Sequence, residues 1–438
     1  MALVYTLGIN AGTGIRHDLG TADSLYVGRG ATVLSSDNAA VTGGGSSQQV
    51  TVAGEIHAWG SGLSWGAGSN LRVEILAGGS VSSSVGSGIY VTSVTSTRIV
   101  NQGSVTGLTN GINLGADTAV LINTGLISSG GYGLQIYSVS DAAGTAVTTY
   151  NHGTITGGTA AYYGDASFDD RLFNYGTITG KIFQLDGNDY LLNRGLITGD
   201  VELGSGNDVL DNRSGTIDGI VFGGDGNDTF ILNPLVAEIV NGGNGADVLD
   251  FRQGGSVIVA LDYTRNNAGQ SLGDQYYNME NVFGSQGNDI ITGNNSNNVL
   301  TGEDGNDWLH GRNGNDILRG GAGVDTLAGG QGNDVFRYIS PGDGGDRIMD
   351  FGNAAGNNDA FQFSAAGFGG GLVAGALPGA AFQSGATNVA ASAGTRFMYR
   401  TTDSTVWFDA DGNGGGAAVL IATLQAGAVV TAVDFLIF

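Results

Sequence analysis

Through the first half of the chain, single apolar residues recur between small polar ones, each just after an Asn-x-Gly turn. The unit is Asn-x-Gly-x-Ile/Val-x-Gly. It reads NQGSVTG at Asn101, NTGLISS at Asn123, NHGTITG at Asn151, NYGTITG at Asn174 and NRGLITG at Asn193, with NRSGTIDG at Asn212 carrying one insertion. The starts lie 22, 28, 23, 19 and 19 residues apart. Weaker copies are VAGEIHA from Val52 and LAGGSVS from Leu76. Asn-x-Gly supplies a turn that tolerates positive φ. The Thr-Ile-Thr or Ser-Val-Thr that follows alternates as a half-buried strand does. One short strand cannot bury its own apolar face, but coil stacked on coil buries a continuous apolar column. The pattern predicts an all-β solenoid, a right-handed parallel β-helix, with the turn asparagines stacked in a hydrogen-bonded ladder.

A second period overlaps the first and then replaces it. GSQGNDIIT, GNNSNNVLT, GEDGNDWLH, GRNGNDILR, GGAGVDTLA and GGQGNDVFR follow without a gap from Gly284, Gly293, Gly302, Gly311, Gly320 and Gly329. Looser copies stand upstream: QLDGNDYLL, LGSGNDVLD, GGDGNDTFI and GGNGADVLD, with Asp189, Asp208, Asp228 and Asp247 spaced 19, 20 and 19 apart. Nine of these ten units keep the aspartate, and Asn298 replaces it in the tenth. The stretch from Asp186 to about Phe351 closely resembles the repeats-in-toxin family, whose nonapeptides build a calcium-binding parallel β-roll.

The spacing sets out the chemistry. Two nonapeptides make a coil of 18 residues, so residues 18 apart stack on one edge, about 4.8 Å apart. Calcium takes six to eight oxygens and is shared readily between adjacent turns. Asp289, Asp307 and Asp325 are expected on one edge. Asp316 and Asp334 are expected on the other, with Asn298 as a neutral member. Asp189, Asp208, Asp228 and Asp247 are expected in a single upstream column. GGDRIMDF from Gly344 resembles the segment that closes the last calcium turn in secreted family members, which implies that Asp346 or Asp350 completes a site.

Charge sharpens this picture. The formal net charge is −24. Residues 181–350 hold 25 acids against 9 bases, a net of −16. Such density opposes compaction unless cations neutralise it, and several calcium ions are the expected cofactor. The acidity argues against nucleic acid as a partner. No apolar run is long enough for a membrane-spanning helix, and the absence of cysteine excludes disulfides.

The chain is expected to run as 1–49, an N-terminal cap or assembly segment; 50–185, parallel β-helix; and 186–250, β-helix with interleaved calcium turns. Then follow 251–283, an interruption with a strand over Ser256–Leu261 and a polar excursion over Asp262–Gln275; 284–342, the β-roll; and 343–438, a small β cap. The two periods are nearly commensurate, which predicts one continuous solenoid. In the cap, Arg396–Arg400 and Thr405–Phe408 alternate like a hairpin. DADGNG from Asp409 resembles the start of an EF-hand loop, but Leu420 stands where its glutamate belongs, so a polar turn and a metal loop both remain open. Met1–Leu7 lacks a basic region and is too short for a secretory signal. The terminal Asp434-Phe-Leu-Ile-Phe438 resembles the uncleaved C-terminal signal of type I secreted proteins.

No catalytic residue is assigned. His17, His57, His152 and His310 are scattered, with no H-E-x-x-H. GLSWG at Gly62 matches a nucleophile elbow, yet a chain this rich in glycine and serine produces such a match by chance. His17-Asp18, Tyr162-Tyr163 and Asp169-Asp170-Arg171 are pieces without a common groove. Two functional classes remain. The favoured one is a secreted calcium-binding structural or cell-surface protein of surface-layer, matrix or adhesin type, with itself or a cell-surface polysaccharide as partner. The other is a secreted polysaccharide lyase or epimerase on a β-helix.

Overall fold

The computed structural model describes residues 3–6, 8–137, 146–166, 168–233, 235–262, 267–269 and 273–438. The chain divides into two compact units, Met1–Asn233 with Glu238–Gly245, and Pro234–Ala237 with Ala246–Phe438.

The first unit is a parallel β-helix. One of its faces is a ten-stranded sheet of short strands, from Ile9–Gly12 through Glu55–Ala58 and Thr154–Gly157 to Thr216–Asp218. Its register stacks Val33, Ile56, Val81, Val105, Ile127, Ile155, Ile178, Ile197 and Ile217 in one file. All nine are buried. Six of them, Val105 to Ile217, are the periodic apolar residues of the Asn-x-Gly units, Ile56 and Val81 come from the weaker copies, and Val33 extends the file upstream; each buried side chain is worth about 1.5–3 kcal/mol against exposure. Two further inward files complete the core. One holds Ile99, Leu121, Thr149, Leu172 and Leu191. The other holds Ile112, Leu134, Tyr162, Ile182 and Val201.

The asparagine ladder forms. Asn101, Asn123, Asn151, Asn174 and Asn193 each donate from Nδ2 to Oδ1 of the next, at 2.7–2.8 Å, ending on Asn212. Asn212 in turn donates to the Glu238 carboxylate. The six asparagines are fully buried. Each amide therefore offers both an acceptor and a donor along the solenoid axis, and a carboxyl oxygen terminates the chain of bonds.

The second unit is a β-roll in which alternate nonapeptides go to opposite sheets. Val299–Asp304, Ile317–Ala322 and Val335–Tyr338 form one side, with Leu300, Leu318 and Phe336 in register. Ile290–Thr292, Trp308–Asn313, Thr326–Gln331 and Asp346–Ile348 form the other, with Ile291, Leu309, Leu327 and Ile348 in register. The coil is 18 residues, as the nonapeptide spacing requires. The strand expected at Ser256–Leu261 is Val257–Ala260. The polar excursion over Asp262–Gln275 lies partly outside the described residues. Within them, Ala268–Gly269 pairs antiparallel with Val257–Ile258.

The cap continues both sides of the roll. Phe397–Arg400 and Thr405–Phe408 form the expected antiparallel hairpin. Ala360–Phe363 extends the first side and is itself extended by Phe435–Ile437. An aromatic cluster of Phe361, Phe363, Phe397 and Phe435 fills the space between, with ring centroids 4.4–6.0 Å apart. The terminal residues are thus a structural strand, with Phe435 and Ile437 buried and Leu436 and Phe438 exposed.

Candidate metal centre

The turns are shaped by glycine. Gly323 has φ 144°, and a Cβ there would run into the Gly305 carbonyl of the preceding coil. Both conditions admit only glycine. Asparagine and aspartate then divide the work of tying coil to coil. The asparagine before the aspartate accepts from the following coil: Asn306 N–H donates to Asn288 Oδ1 and Asn315 N–H to Asn297 Oδ1, at 2.7–2.8 Å. The aspartate accepts from the preceding coil.

This second set of bonds draws the columns. Asp289, Asp307 and Asp325 each donate their N–H to Oδ1 of the next member, and Asp325 donates to Asp346, at 2.7–3.0 Å. On the opposite edge Asn298 donates to Asp316 and Asp316 to Asp334, at 2.7 and 2.8 Å. In the first unit Asp189 donates to Asp208 and Asp208 to Asp228, at 2.7 and 2.8 Å.

Three column members escaped the sequence reading. Asp334 N–H donates to Asp359 Oδ1 at 2.9 Å, so Asp359 continues the second edge. Asp247 N–H donates to Glu280 Oε2 at 3.0 Å. Asp170 N–H donates to Asp189 Oδ1 at 2.6 Å. Asp346 sits in the first-edge column. Asp350 instead accepts from the Gly329 and Gly330 N–H groups, at 3.0 and 2.9 Å.

The other carboxylate oxygen carries the chemistry. Oδ2 of Asp307, Asp316, Asp325, Asp334 and Asp346 is buried and has no hydrogen-bond partner. The same holds for Asp189 and Asp208. In the tandem turns this oxygen packs against the first glycine of the unit, where no side chain has room. A Cβ placed on Gly284 would collide with Asp289 Oδ2 and the Gly302 carbonyl oxygen, each 2.5 Å away, although Asp289 Oδ2 differs from the others in accepting from the Ser285 N–H at 2.6 Å. Gly302 and Gly311 are crowded in the same way by Asp307 and Asp316, with the next coil's carbonyl oxygen 2.6 Å from where a Cβ would stand. Each turn thus brings a carboxylate oxygen and a main-chain carbonyl oxygen close together, the donor types that calcium takes. Among the described residues no three acidic or imidazole side chains converge. Carboxylates come one per turn, and main-chain carbonyls supply the remaining donors. Such an all-oxygen set suits a hard cation.

Metal-free, these acids are held out of their ordinary range. Burial, reinforced by the charges of Asp325 and Asp289, pushes Asp307 up to about 7. Burial pushes Asp316 and Asp208 to about 7, Asp346 to about 8 and Asp189 to about 9. Asp211 shows the contrast. It too is buried, yet hydrogen bonds from Arg213 and Arg194 hold it well below the usual carboxylate range. The column acids have no such cations.

The upstream column is not uniform. The register places Gln184 and Leu203 where Gly223 stands in the following coil. Both side chains are fully buried. They stand at a place in the stack where Gly223, crowded by Asp228 and the Gly242 carbonyl, admits no side chain, so the turns of Asp189 and Asp208 differ from those of the tandem array.

Of the catalytic fragments, Tyr162 and Asp170 come together, but in the buried core. Tyr162 is fully buried in the core. Ser64 lies on the strand Leu63–Ser69, not at a strand-to-helix turn, and Trp65 of the same motif is buried, donating to Gln48 Oε1 at 2.5 Å. Asp18 accepts from Thr42 Oγ1 at 2.8 Å. Among the described residues no helix is long and apolar enough to cross a membrane.

A parallel β-solenoid whose turns present unpartnered buried carboxylates to facing carbonyls defines a calcium-binding repeat protein. The family of the RTX calcium-binding nonapeptide repeat (4 copies) matches residues 279–309 and 301–336. Those residues are RTX calcium-binding repeats. Among solved structures, the chain is similar to the AlgE6R3 subunit of the Azotobacter vinelandii mannuronan C5-epimerase. The identity is 28%, over 35% of this chain and 80% of that one, with a TM-score of 0.24. No curated protein matches.

Proposed function

We propose that this is an extracellular structural or cell-surface protein of surface-layer, matrix or adhesin type, completed by calcium after export through an uncleaved C-terminal signal. One observation carries the reading: buried carboxylate oxygens without partners, repeated coil after coil opposite main-chain carbonyls. Asp307, Asp316, Asp325, Asp334 and Asp346 carry such oxygens and hold the ions of the roll; the repeat spacing adds Asp289, and Asp228 in the β-helix. The ions neutralise the aligned acids and join successive coils. In a compartment poor in calcium the acid-rich segment stays expanded, fit for threading through a secretion channel. Outside, sites with dissociation constants of about 10⁻⁴ to 10⁻³ M fill. A single site contributes at most about 2.7 kcal/mol at a hundredfold excess over its dissociation constant. An array is therefore needed to offset chain entropy and charge repulsion.

Negative-stain images of the full chain, with calcium and with chelator, test the structural role. Ordered assemblies that form only with calcium support it. Incubation with uronate polymers supplies the opposing outcome: unsaturated products or altered uronate composition would replace the structural reading with polysaccharide modification.

A further inference from the structure

The outward face of the ten-stranded sheet carries features that the acid columns do not use. Near its upstream end lies a cavity of about 430 Å³. Its lining side chains larger than alanine are Leu34, Ser35, Ser36, His57, Trp59 and Ser84. Trp59 is the most exposed of the four tryptophans, at 53%, whereas Trp65 is buried. Folding has left this indole a flat apolar face in water, with one N–H donor at its edge. The His57 ring is held at both nitrogens: Nδ1 lies 2.8 Å from Ser82 Oγ and Nε2 lies 3.1 Å from Ser84 Oγ. No aspartate, glutamate, lysine or arginine lines the cavity. Glu55, exposed, stands two residues before His57 on the same strand. Leu34 and His57 also begin a file. The register continues it through Ser82, Thr106, Ser128, Thr156, Thr179 and Thr198. Their strand neighbours Val81, Val105, Ile127, Ile155, Ile178 and Ile197 are buried, so the alternation of a strand turns these six hydroxyls outward, about 4.8 Å from coil to coil.

This combination selects a ligand. A purely apolar partner would cover the serines and the imidazole without hydrogen bonds. A polyanion finds no lysine or arginine in the lining, and meets Glu55 and a chain of net charge −24. A neutral pyranose satisfies both halves, with its C–H face on the indole and its hydroxyls toward serine and imidazole. Successive units of an extended sugar chain advance by nearly the distance from coil to coil, so the file presents about one hydroxyl to each unit. We propose that this face binds a neutral polysaccharide along the Ser82–Thr198 file, with one ring stacked on Trp59 in the cavity. The site rests on the cell-surface reading above and gives that surface its partner.

Calorimetry on the full chain in millimolar calcium tests this, with β-1,4-linked oligomers of glucose, mannose and N-acetylglucosamine, as dimers and hexamers, and oligoguluronate as the charged counterpart. At least one neutral series should bind, its hexamer more tightly than its dimer, and oligoguluronate at least about tenfold more weakly. Trp59→Ala should weaken binding at least about tenfold, as truncation of a central aromatic contact does, and Trp59→Phe should restore most of it. Thr106→Asp with Ser128→Asp should remove the hexamer's advantage and leave the dimer's affinity unchanged. The proposal is overturned if no neutral series binds, if dimer and hexamer bind equally, or if Trp59→Ala binds like the parent. It is also overturned if Trp59→Ala abolishes association between copies while no sugar binds, since the face is then an interface between chains. Negative-stain assemblies report on the broader reading separately. Trp59→Ala should leave them intact, and their absence from a parent that binds a neutral series refutes assembly while this site stands.

Discussion

Replacing Asp307 by asparagine should change stability in opposite directions depending on calcium. Asparagine keeps the Oδ1 acceptor that serves the Asp289 N–H, and Asn298 shows that the amide fits an equivalent turn, where its Oδ1 accepts from the Asn294 N–H at 2.9 Å. What changes is the charge. In the metal-free fold burial raises the Asp307 carboxyl from 3.8 to about 7. A folded-state pKa above the unfolded one means that the native state binds the proton more tightly. The metal-free fold therefore bears no penalty from this group below about pH 4. The penalty grows between pH 4 and 7 and is complete above pH 7. Three pK units at about 1.36 kcal/mol each give about 4 kcal/mol, or about 2 kcal/mol if water screens the turn. Asp307→Asn removes this penalty. In chelator at pH 7.5 the variant should be more stable than the parent by about 2–4 kcal/mol, and near pH 4 the two should converge. In millimolar calcium the order reverses, because a ligand shared between coils is lost. Urea unfolding followed by circular dichroism, in calcium and in chelator at both pH values, measures all four quantities. A variant less stable than the parent in chelator, by the same amount at pH 4 and 7.5, would refute the reasoning.

Other consequences follow from the same structure. Asn151→Ala breaks the buried ladder at its middle and leaves groups on Asn123 and Asn174 unpaired. It should cost about 2–4 kcal/mol in urea unfolding, with or without calcium, since no acid column passes through it. Phe435→Ala opens the aromatic cluster of the cap and should cost about 3–5 kcal/mol. Leu436 and Phe438 point outward, so a Leu436→Ser, Phe438→Ser protein should unfold within about 0.5 kcal/mol of the parent. If the terminal hydrophobics are the export signal, that double variant should nevertheless stay inside the cell, as a secretion assay would show. Gly323→Ala combines an unfavourable φ with a backbone collision, and should lower both calcium affinity and the unfolding midpoint.

Much of the architecture could be read from residue periodicity. Ile127, Ile155 and Ile178 recur because each coil must place one apolar side chain in the same file. The 18-residue interval of Asp289, Asp307 and Asp325 follows from two nonapeptides per coil. In both cases the repeat in sequence is the repeat in space. Where chain loops out between coils that equivalence fails. Glu280 follows Asp247 in its column after 33 residues, and Asp359 follows Asp334 after 25. Main-chain hydrogen bonds between coils set the register of stacking, and they are indifferent to how many residues intervene. Asp170 was hidden differently: its turn has lost the glycines of the nonapeptide, and only the position of its N–H against Asp189 reveals the kinship. The sequence also displays Gln184 and Leu203 in place of the first glycine. That the later turns admit only glycine at this place becomes visible only when the coils are stacked, because the crowding comes from atoms of two turns and belongs to neither alone.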